Sequence, residues 1–580
     1  MNIYKEDKRG ENMGYYLNSE DAYELYKSET GKDYFIDKTK MLQDLIRIID
    51  QGGDSISITR PRRFGKSVIA AMIGAFFGKG ADSSALFSKL KIAENSEYTK
   101  HLNQHNVIYV DFSKGPAECK SYAQYIDYIK ERLTLDLKES YPNAFLLPDD
   151  TLGETLRNVF RKYNREKFIL VFDEWDYIFH RDYFTESDRG RFTAFLGDLT
   201  KGRAYVTLTY MTGILPIKKY SGSDTMNHFA EFNMANSGMY SEYFGFTNAE
   251  VDELYQRYVR NTPNPVISRE DLRDWYDGYH RKGKESVYNP NSVVFALTQN
   301  EPGNYWARAG EYEELKDYIL DDTDGVRDAV MLLAAGESVK VDIQEYATSA
   351  QKLETRDEIL SVMTVYGYLN YFDGCVRIPN RELWMEFDKI IRAAPRFNYM
   401  RELEKESLRI LKATYDGDED TVGKMLAIVH TTESPLKAYS DEAELSGSVK
   451  LAYIAARNKY NMERIETPPR CARRQVAPSI GRNAAHLDGA KDQAGIGYVD
   501  YIFYPHNRSD DGIIIELKVD DSPETALQQI KDKDYALKFK GKVGEQPKTT
   551  GRIILVGIGY YKKDKVHRCR IEILDSFLAK

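Results

Sequence analysis

Cysteine is scarce and dispersed, with four residues at positions 119, 375, 471 and 569 and no CxxC pair. That pattern excludes a disulfide framework or a structural zinc module as the organising principle of the chain. The nine histidines are scattered and form no HExxH helix. No apolar run approaches the ~18 residues that a membrane helix needs. The longest candidate, Val68 to Phe77, contains Gly74 and stops at Gly78-Lys79. The opening Met1-Asn2-Ile3-Tyr4-Lys5-Glu6-Asp7-Lys8 is charged and lacks the apolar core of a signal peptide, so no membrane partner and a cytoplasmic location are expected. Eighteen Pro and 39 Gly are too few for a collagenous or linker-like chain, and a 12% aromatic content argues against disorder.

What is present is a composition typical of soluble globular proteins, 42% hydrophobic and 29% charged over 580 residues. At ~100–200 residues per domain this predicts roughly three to five domains. Tyr supplies 43 of the aromatic residues, read as many half-buried amphipathic contacts. The net charge of −9 hides an asymmetry: residues 441–580 carry 24 Lys and Arg against 20 Asp and Glu, whereas residues 1–440 carry 57 against 70. The only basic region is the tail.

Met41, Leu42, Leu45, Ile46, Ile48 and Ile49 predict a helix, and the alternation in Ser55-Ile-Ser-Ile-Thr59 predicts a strand. Apolar runs at 106–112, 167–172 and 203–212 read as strands buried on both faces, with helices at about 121–140 and 151–164 between them. Strands alternating with helices make this region α/β with a parallel sheet. From about 247 to 400 the pattern is mainly helical and ends in a hairpin at Asp373-Gly374, suggesting a lid or winged-helix-like module. Further strands are predicted at 497–503, 512–519 and 551–558. Helices are predicted over 401–438, at 523–539 and over a stretch running to Tyr460.

Arg60-Pro-Arg-Arg-Phe-Gly-Lys-Ser67 lies between a strand and a helix. Gly65 allows backbone to approach phosphates, Lys66 can reach the β/γ-phosphates and Ser67 can ligate Mg²⁺. Arg60 stands where the first Gly of G-x-x-x-x-G-K-S would be, and a basic turn before a helix is the plain alternative. The strand Phe168–Phe172 ends in Asp173-Glu174, where Asp173 can hold Mg²⁺ through water and Glu174 can orient an attacking water. Thr212, at the end of the next strand, is where a hydroxyl could sense the γ-phosphate.

These motifs, in the order Tyr34-Phe-Ile-Asp-Lys-Thr39, Thr59–Ser67, Phe172-Asp-Glu-Trp-Asp176, Met211-Thr-Gly-Ile-Leu-Pro-Ile217, Trp275-Tyr-Asp-Gly-Tyr279 and Val287-Tyr-Asn-Pro-Asn-Ser292, resemble the AAA-ATPase-like family of bacterial proteins that pair a P-loop domain with a C-terminal nuclease-like domain. The resemblance runs over roughly 15–400. It implies ATP as the ligand and makes the Arg60 variant part of the family's own pattern, so Arg60 and Arg63 join the nucleotide-binding candidates. Arg62 and Arg63 are open between phosphate contact and solvation, and no trans-acting arginine finger can be assigned.

In the tail, Asp500 precedes Glu516-Leu-Lys518, and the strand period puts Glu516 and Lys518 on one face with Leu517 on the other. A neighbouring strand carrying Asp500 could set two carboxylates around one divalent ion, with the ammonium near the developing phosphate charge. A solvated strand face gives the same letters. The spacing is similar to the PD-(D/E)XK nuclease core, over about 425–580. That resemblance implies two further site residues, Glu444 from a preceding helix and Gln529 from a following one. A departure is the stretch from Glu466 to Gln493, which has no helical or strand period and intervenes before Asp500.

The expected architecture is therefore α/β in three parts: an AAA-like P-loop ATPase domain over 1–245, a helical or winged-helix-like lid over 246–400, and a restriction-endonuclease-like domain over 401–580. ATP and Mg²⁺ are the expected cofactors and nucleic acid the expected partner, DNA favoured over RNA, with homo-oligomerisation left open. The competing readings are a regulatory ATPase switch whose tail only binds nucleic acid or a protein, and an ATP-sensing scaffold with no nucleic-acid role.

Overall fold

The computed structural model describes residues 14–116, 118–144, 147, 149–217, 225–234, 238–281, 284–306, 312–343, 353–393, 398–433, 442–463, 500–540 and 547–575. The chain divides into two compact units. One is formed by residues 1–318, 322–326 and 341–384, the other by 319–321, 327–340 and 385–580.

The first unit is built on five strands: β1 (Asp54–Thr59), β2 (Asn106–Asp111), β3 (Phe168–Asp173), β4 (Val206–Gly213) and β5 (Ala230–Phe232). Their order is β2-β3-β4-β1-β5 and every pairing is parallel, so all strands end on one edge. The near-continuous burial of β1 to β4 follows from helices covering both faces. The helix α1 (Glu20–Thr30) crosses α3 (Lys66–Phe77) where Gly74 leaves room: a Cβ there would meet the Ala22 Cβ at 2.7 Å. Between them in sequence, α2 (Met41–Asp50) buries Met41, Leu42, Leu45 and Ile46 as the apolar spacing requires. The helices Tyr122–Ser140 and Leu152–Lys162 pack with Phe168, Leu170 and Phe172 in one core on one side of the sheet. The chain visits the far edge with β2, returns through β3 and β4 beside β1, and then adds β5 on the other side. Such a reversal of order opens a crevice outside the strand ends.

The helices of the next segment start at side-chain caps. Capping boxes pair Thr247 with Glu250, Ser268 with Asp271 and Thr355 with Glu358, heading Asn248–Asn261, Arg269–Tyr276 and Arg356–Val365. The expected hairpin is present: Asn370–Phe372 pairs antiparallel with Cys375–Arg377 across Asp373 (φ 48°) and Gly374 (φ 81°), as a two-residue primed turn demands. A second hairpin, Tyr279–Arg281 with Lys284–Val287, carries no sequence signal strong enough to predict it.

The second unit holds a mixed sheet of β6 (Tyr460–Glu463), β7 (Tyr501–Pro505), β8 (Gly512–Val519), β9 (Ile553–Tyr561) and β10 (Val566–Leu574), ordered as numbered. Only β8 and β9 run parallel, joined by the helix Pro523–Asp532, which packs with Ile502, Ile514, Ile553 and Leu555. Two sequence expectations are corrected. The helix expected to reach Tyr460 is Glu442–Ala452; after it come a short 3₁₀ segment and then β6. The helix expected to reach Phe539 stops at Asp532, because Asp534 adopts φ 49° and a 3₁₀ turn follows. The stretch from Glu466 to Gln493 lies outside the described residues. Among the described residues no helix is long and apolar enough to cross a membrane.

Candidate nucleotide site and candidate metal centre

At the carboxyl ends of the parallel strands lies a cavity of about 980 Å³. The end around the start of α3 is formed by Arg62, Arg63, Gly65, Lys66 and Ser67, with Asp111 from the end of β2 and Glu174 after β3. Gly65 caps α3 with φ 87°, in the left-handed region, and open space surrounds the position a Cβ would take. The α3 N-terminus thus offers backbone N–H groups and a positive dipole end to an anion. Lys66 is 4% exposed and donates from Nζ to the Pro61 carbonyl at 3.2 Å, a weak tether for an ammonium.

Asp173 ends β3 at 1% exposure. Burial, with Glu174 and Asp111 close by, pushes its carboxyl up to about 7, opposed by the Ser67 hydroxyl hydrogen bond and by Lys66. Glu174 is also raised, first by burial, while Lys66 draws it down. Its backbone sits at φ 50°, a strained value for a non-glycine residue. Asp173 itself does not line the cavity, but it is hydrogen-bonded to the Ser67 hydroxyl that does, and a Ser hydroxyl joined to a buried carboxylate beside an anion cradle is a donor set that fits Mg²⁺ with a polyphosphate.

The structure separates two candidates from this group. Arg60 does not line the cavity. Its guanidinium is buried, donates from Nη1 to the carbonyls of Thr59 (2.8 Å) and Phe232 (3.3 Å), and lies over the Phe244 ring. Thr212 is fully buried and donates to the Ile58 carbonyl at 2.7 Å, so its hydroxyl joins β4 to β1 and does not line the cavity. Arg63 does line it, with φ 68° and a hydrogen bond to the Tyr305 carbonyl at 2.7 Å.

Sequence reasoning missed other lining groups. His180 and Arg181 follow the acidic strand, and no spacing rule singles them out. Lys38 also lines the cavity. It is bonded to Glu250 at 2.6 Å and to the Glu242 carbonyl at 2.7 Å, tying the Tyr34–Thr39 motif to the helix Asn248–Asn261. Asp37 of that motif accepts from Thr39 and from the Lys91 N–H, which explains the motif as a clamp.

In the second unit the strand period holds. Glu516 and Lys518 stand 3.4 Å apart on one face of β8, and Leu517 is fully buried on the other. Asp500 sits just before β7 and accepts the Leu517 N–H at 2.9 Å, which brings its carboxylate beside β8. Burial and the Asp500 charge push Glu516 up to about 7, with Lys518 opposing. Gln529 donates from Nε2 to Glu516 Oε1, while Oε2 is buried and unpartnered. An orphaned carboxylate oxygen beside a second carboxylate fits a divalent cation. The backbone of Glu444 lies in the helix Glu442–Ala452; its side chain is outside the described residues. Tyr535, buried beside these acids, has its phenol pushed up to about 12, first by burial and then by Glu516.

Residues 24–221 match the model of the AAA-ATPase-like family, described as predicted AAA-ATPase, so the N-terminal part of the chain is ATPase-like. An uncharacterised protein from the vnfD 5′ region of Azotobacter chroococcum mcd 1 is 24% identical over 303 residues, which is 51% of this chain; the chain spans about half, 54%, of that relative's length. Among solved structures, the Walker-type ATPase paby2304 of Pyrococcus abyssi aligns at TM-score 0.34 and 13% identity, covering 61% of this chain and 96% of that one. The Aeropyrum pernix ORC2 protein in its ADPNP–ADP complexes aligns at TM-score 0.28 and 12% identity, covering 68% and 99%.

Proposed function

We propose that the chain is an ATP-binding and ATP-hydrolysing protein whose C-terminal domain is a Mg²⁺-dependent nuclease-like module acting on nucleic-acid phosphodiester bonds, with DNA favoured over RNA. In this reading the chain keeps the three-part division at 245 and 400. The observation that supports it most is the pair of buried carboxylates, Asp173 and Glu516, each pushed up to about 7 and each set against a lysine. Groups so perturbed cluster at sites of chemistry.

In the first site Lys66 and the N–H groups at the start of α3 hold the phosphates, Arg63 lies alongside, and Glu174 orients the attacking water. Ser67 and Asp173 would hold the cation there, as Asp500 and Glu516 would in the second site. When bound, Mg²⁺ supplies neutralisation of phosphate charge and a lowered water pKa. Gln529 fixes the Glu516 carboxylate, Lys518 faces the charge that develops on the phosphodiester, and Glu444 completes the acidic set. Arg60 and Thr212 act through the scaffold, bracing the root of the phosphate loop.

The test is a cleavage assay on single- and double-stranded DNA and RNA, with and without ATP, under Mg²⁺ or Mn²⁺ titration. Lys66→Ala is expected to abolish nucleotide binding. Glu516→Ala and Lys518→Ala are expected to abolish cleavage while ATP hydrolysis continues. If all three variants cleave like the wild type, the site assignment fails. Oligonucleotide binding that ignores metal and yields no products would favour the regulatory switch with a binding-only tail.

A further inference from the structure

Away from the start of α3 the wall of the candidate nucleotide cavity is mostly apolar and aromatic, with Phe35, Ile36, Phe246, Pro290, Val294 and Phe295. It follows α3 through Val68 to Met72, five residues past Ser67 and so about 7.5 Å further along the helix. Two lysines in this wall are already paired, Lys32 with Glu29 and Lys38 with Glu250. At about 980 Å³ the cavity is at the top of the roughly 300–1,000 Å³ range of small-molecule sites, with room for a nucleoside as well as its phosphates.

The Val287–Ser292 motif fixes one side of this wall by setting the helix Pro290–Gln299. Asn289 caps the helix by accepting the Ser292 N–H at 3.2 Å, and its own N–H donates to the Tyr276 carbonyl at 3.1 Å. The Ser292 hydroxyl donates to Glu382 at 3.0 Å. Ser292, Val293, Ala296 and Leu297 are thereby turned into the core, and the i, i+3, i+4 face formed by Asn291, Val294 and Phe295 lines the cavity. Phe295 stacks on Tyr305, whose carbonyl accepts from Arg63, so this face is held against the loop before α3. Two of the lining residues have a polar atom buried without a hydrogen-bond partner, the Tyr26 hydroxyl and Asn291 Nδ2. A phenol offers a base a single atom. Asn291 is the one carboxamide among the described lining residues, and a carboxamide presents a donor and an acceptor side by side.

We propose that Asn291 selects adenine in this cavity, accepting from the N6 amino group and donating from Nδ2 to N7, an inference that rests on the ATP-binding reading above. Adenine sets an amino donor beside the N7 acceptor, the complement of a carboxamide edge. Guanine sets two acceptors there, O6 and N7, and leaves the Asn291 Oδ1 facing an oxygen. The pairing supplies the acceptor that the buried Nδ2 lacks, while Val294 and Phe295 of the same helix face lie beside the ring.

The experiment measures Kd on the full chain with Mg²⁺ for ATP, for GTP and for 7-deaza-ATP, in which a C–H replaces N7. The wild type is expected to bind ATP about tenfold or more tighter than either, as for a bidentate contact to a base. Asn291→Ala should weaken ATP about tenfold or more and GTP less than about twofold, so that the preference disappears. Asn291→Asp keeps the shape and suits the first turn of a helix, which guards against a folding defect. Its added charge weakens every triphosphate, but it has no donor for N7, so ATP should lose its advantage over 7-deaza-ATP. The inference is overturned by a wild type that does not prefer ATP to both analogues, by an unchanged ATP-to-GTP ratio in Asn291→Ala, or by an Asn291→Asp chain that still prefers ATP to 7-deaza-ATP. A wild-type chain that binds neither ATP nor GTP overturns the ATP-binding reading itself.

Discussion

The two candidate sites reach the same electrostatic state by different construction. In each, a buried carboxylate is pushed up to about 7 and a lysine opposes the shift. In the C-terminal site Glu516 and Lys518 sit on one strand, two residues apart, so the pleat alone fixes their approach. In the N-terminal site Lys66 opens α3, the helix that follows β1, and Asp173 comes from the end of β3, and these strands are separated in the sheet by β4. There the fold, not local geometry, brings the charges together. A pair carried on one strand persists as long as the strand does, whereas a pair assembled from several strand ends can respond to a ligand that bridges them.

The largest expected effect that tests this contrast is on chemistry. Glu174→Gln should lower ATP hydrolysis by about a hundredfold or more with nucleotide binding retained, and Glu516→Gln should lower phosphodiester cleavage similarly. Each should leave the other reaction within about twofold, followed by phosphate release and by oligonucleotide products. Loss of both activities in either variant would break the separation of the sites.

Next are two glycines, one in each unit. A Cβ at Gly213 would collide with Asp176 and Trp175, and one at Gly557 would collide with the Pro523 carbonyl and press on Leu527. Each Gly→Ala change should destabilise its own unit by about 1–3 kcal/mol in urea unfolding. Only Gly213→Ala should also weaken ATP binding, because only that residue packs on the turn after β3 that borders the candidate nucleotide cavity.

Acid should affect the two units alike. Burial, helped by a neighbouring histidine, pushes both His105 in the first unit and His567 in the second down to about 4. The unfolded imidazoles take up protons near 6.5 while the folded ones do not, so stability is lost as pH falls from about 6.5 toward 4. The loss is on the order of 2–3 kcal/mol for each histidine at the low end of that window. His105→Gln and His567→Gln should each flatten the pH slope of the corresponding unfolding transition, and an unchanged slope would remove the histidine as its cause.

The smallest effect concerns Thr212. Thr212→Val should cost about 1 kcal/mol of stability by removing the hydroxyl's hydrogen bond to the Ile58 carbonyl, with ATP affinity unchanged in titration. A drop in ATP affinity beyond the stability loss would restore Thr212 as a sensor.

The strands β2, β3 and β4 were legible because burial on both faces writes itself as continuous apolar runs, while the short β5 was not. Glu516 with Lys518 was legible because a period of two needs no tertiary information. Asp173, Glu174, Lys66 and Ser67 were legible as motifs. The orientations of Arg60 and Thr212 were not, since a motif letter does not say whether a side chain turns toward the crevice or into the sheet seam. His180 was hidden for a related reason: its ring is hydrogen-bonded to Asp176, and that carboxylate to two amides some forty residues further along. The edge strand Tyr460–Glu463 escaped because four residues are too few to show a period, and Val566–Leu574 because its burial does not follow its apolar letters: His567 and Cys569 are buried while Val566 and Ile573 are exposed.

Asp500 accepts the N–H of Leu517, one step beyond the last paired rung between β7 and β8. A candidate cation ligand is thereby also a stitch in the sheet. If binding a cation draws this carboxylate away, a single backbone proton loses its acceptor, so the hydrogen-exchange rate at Leu517 becomes a gauge of site occupancy that can be read without any nucleic acid present.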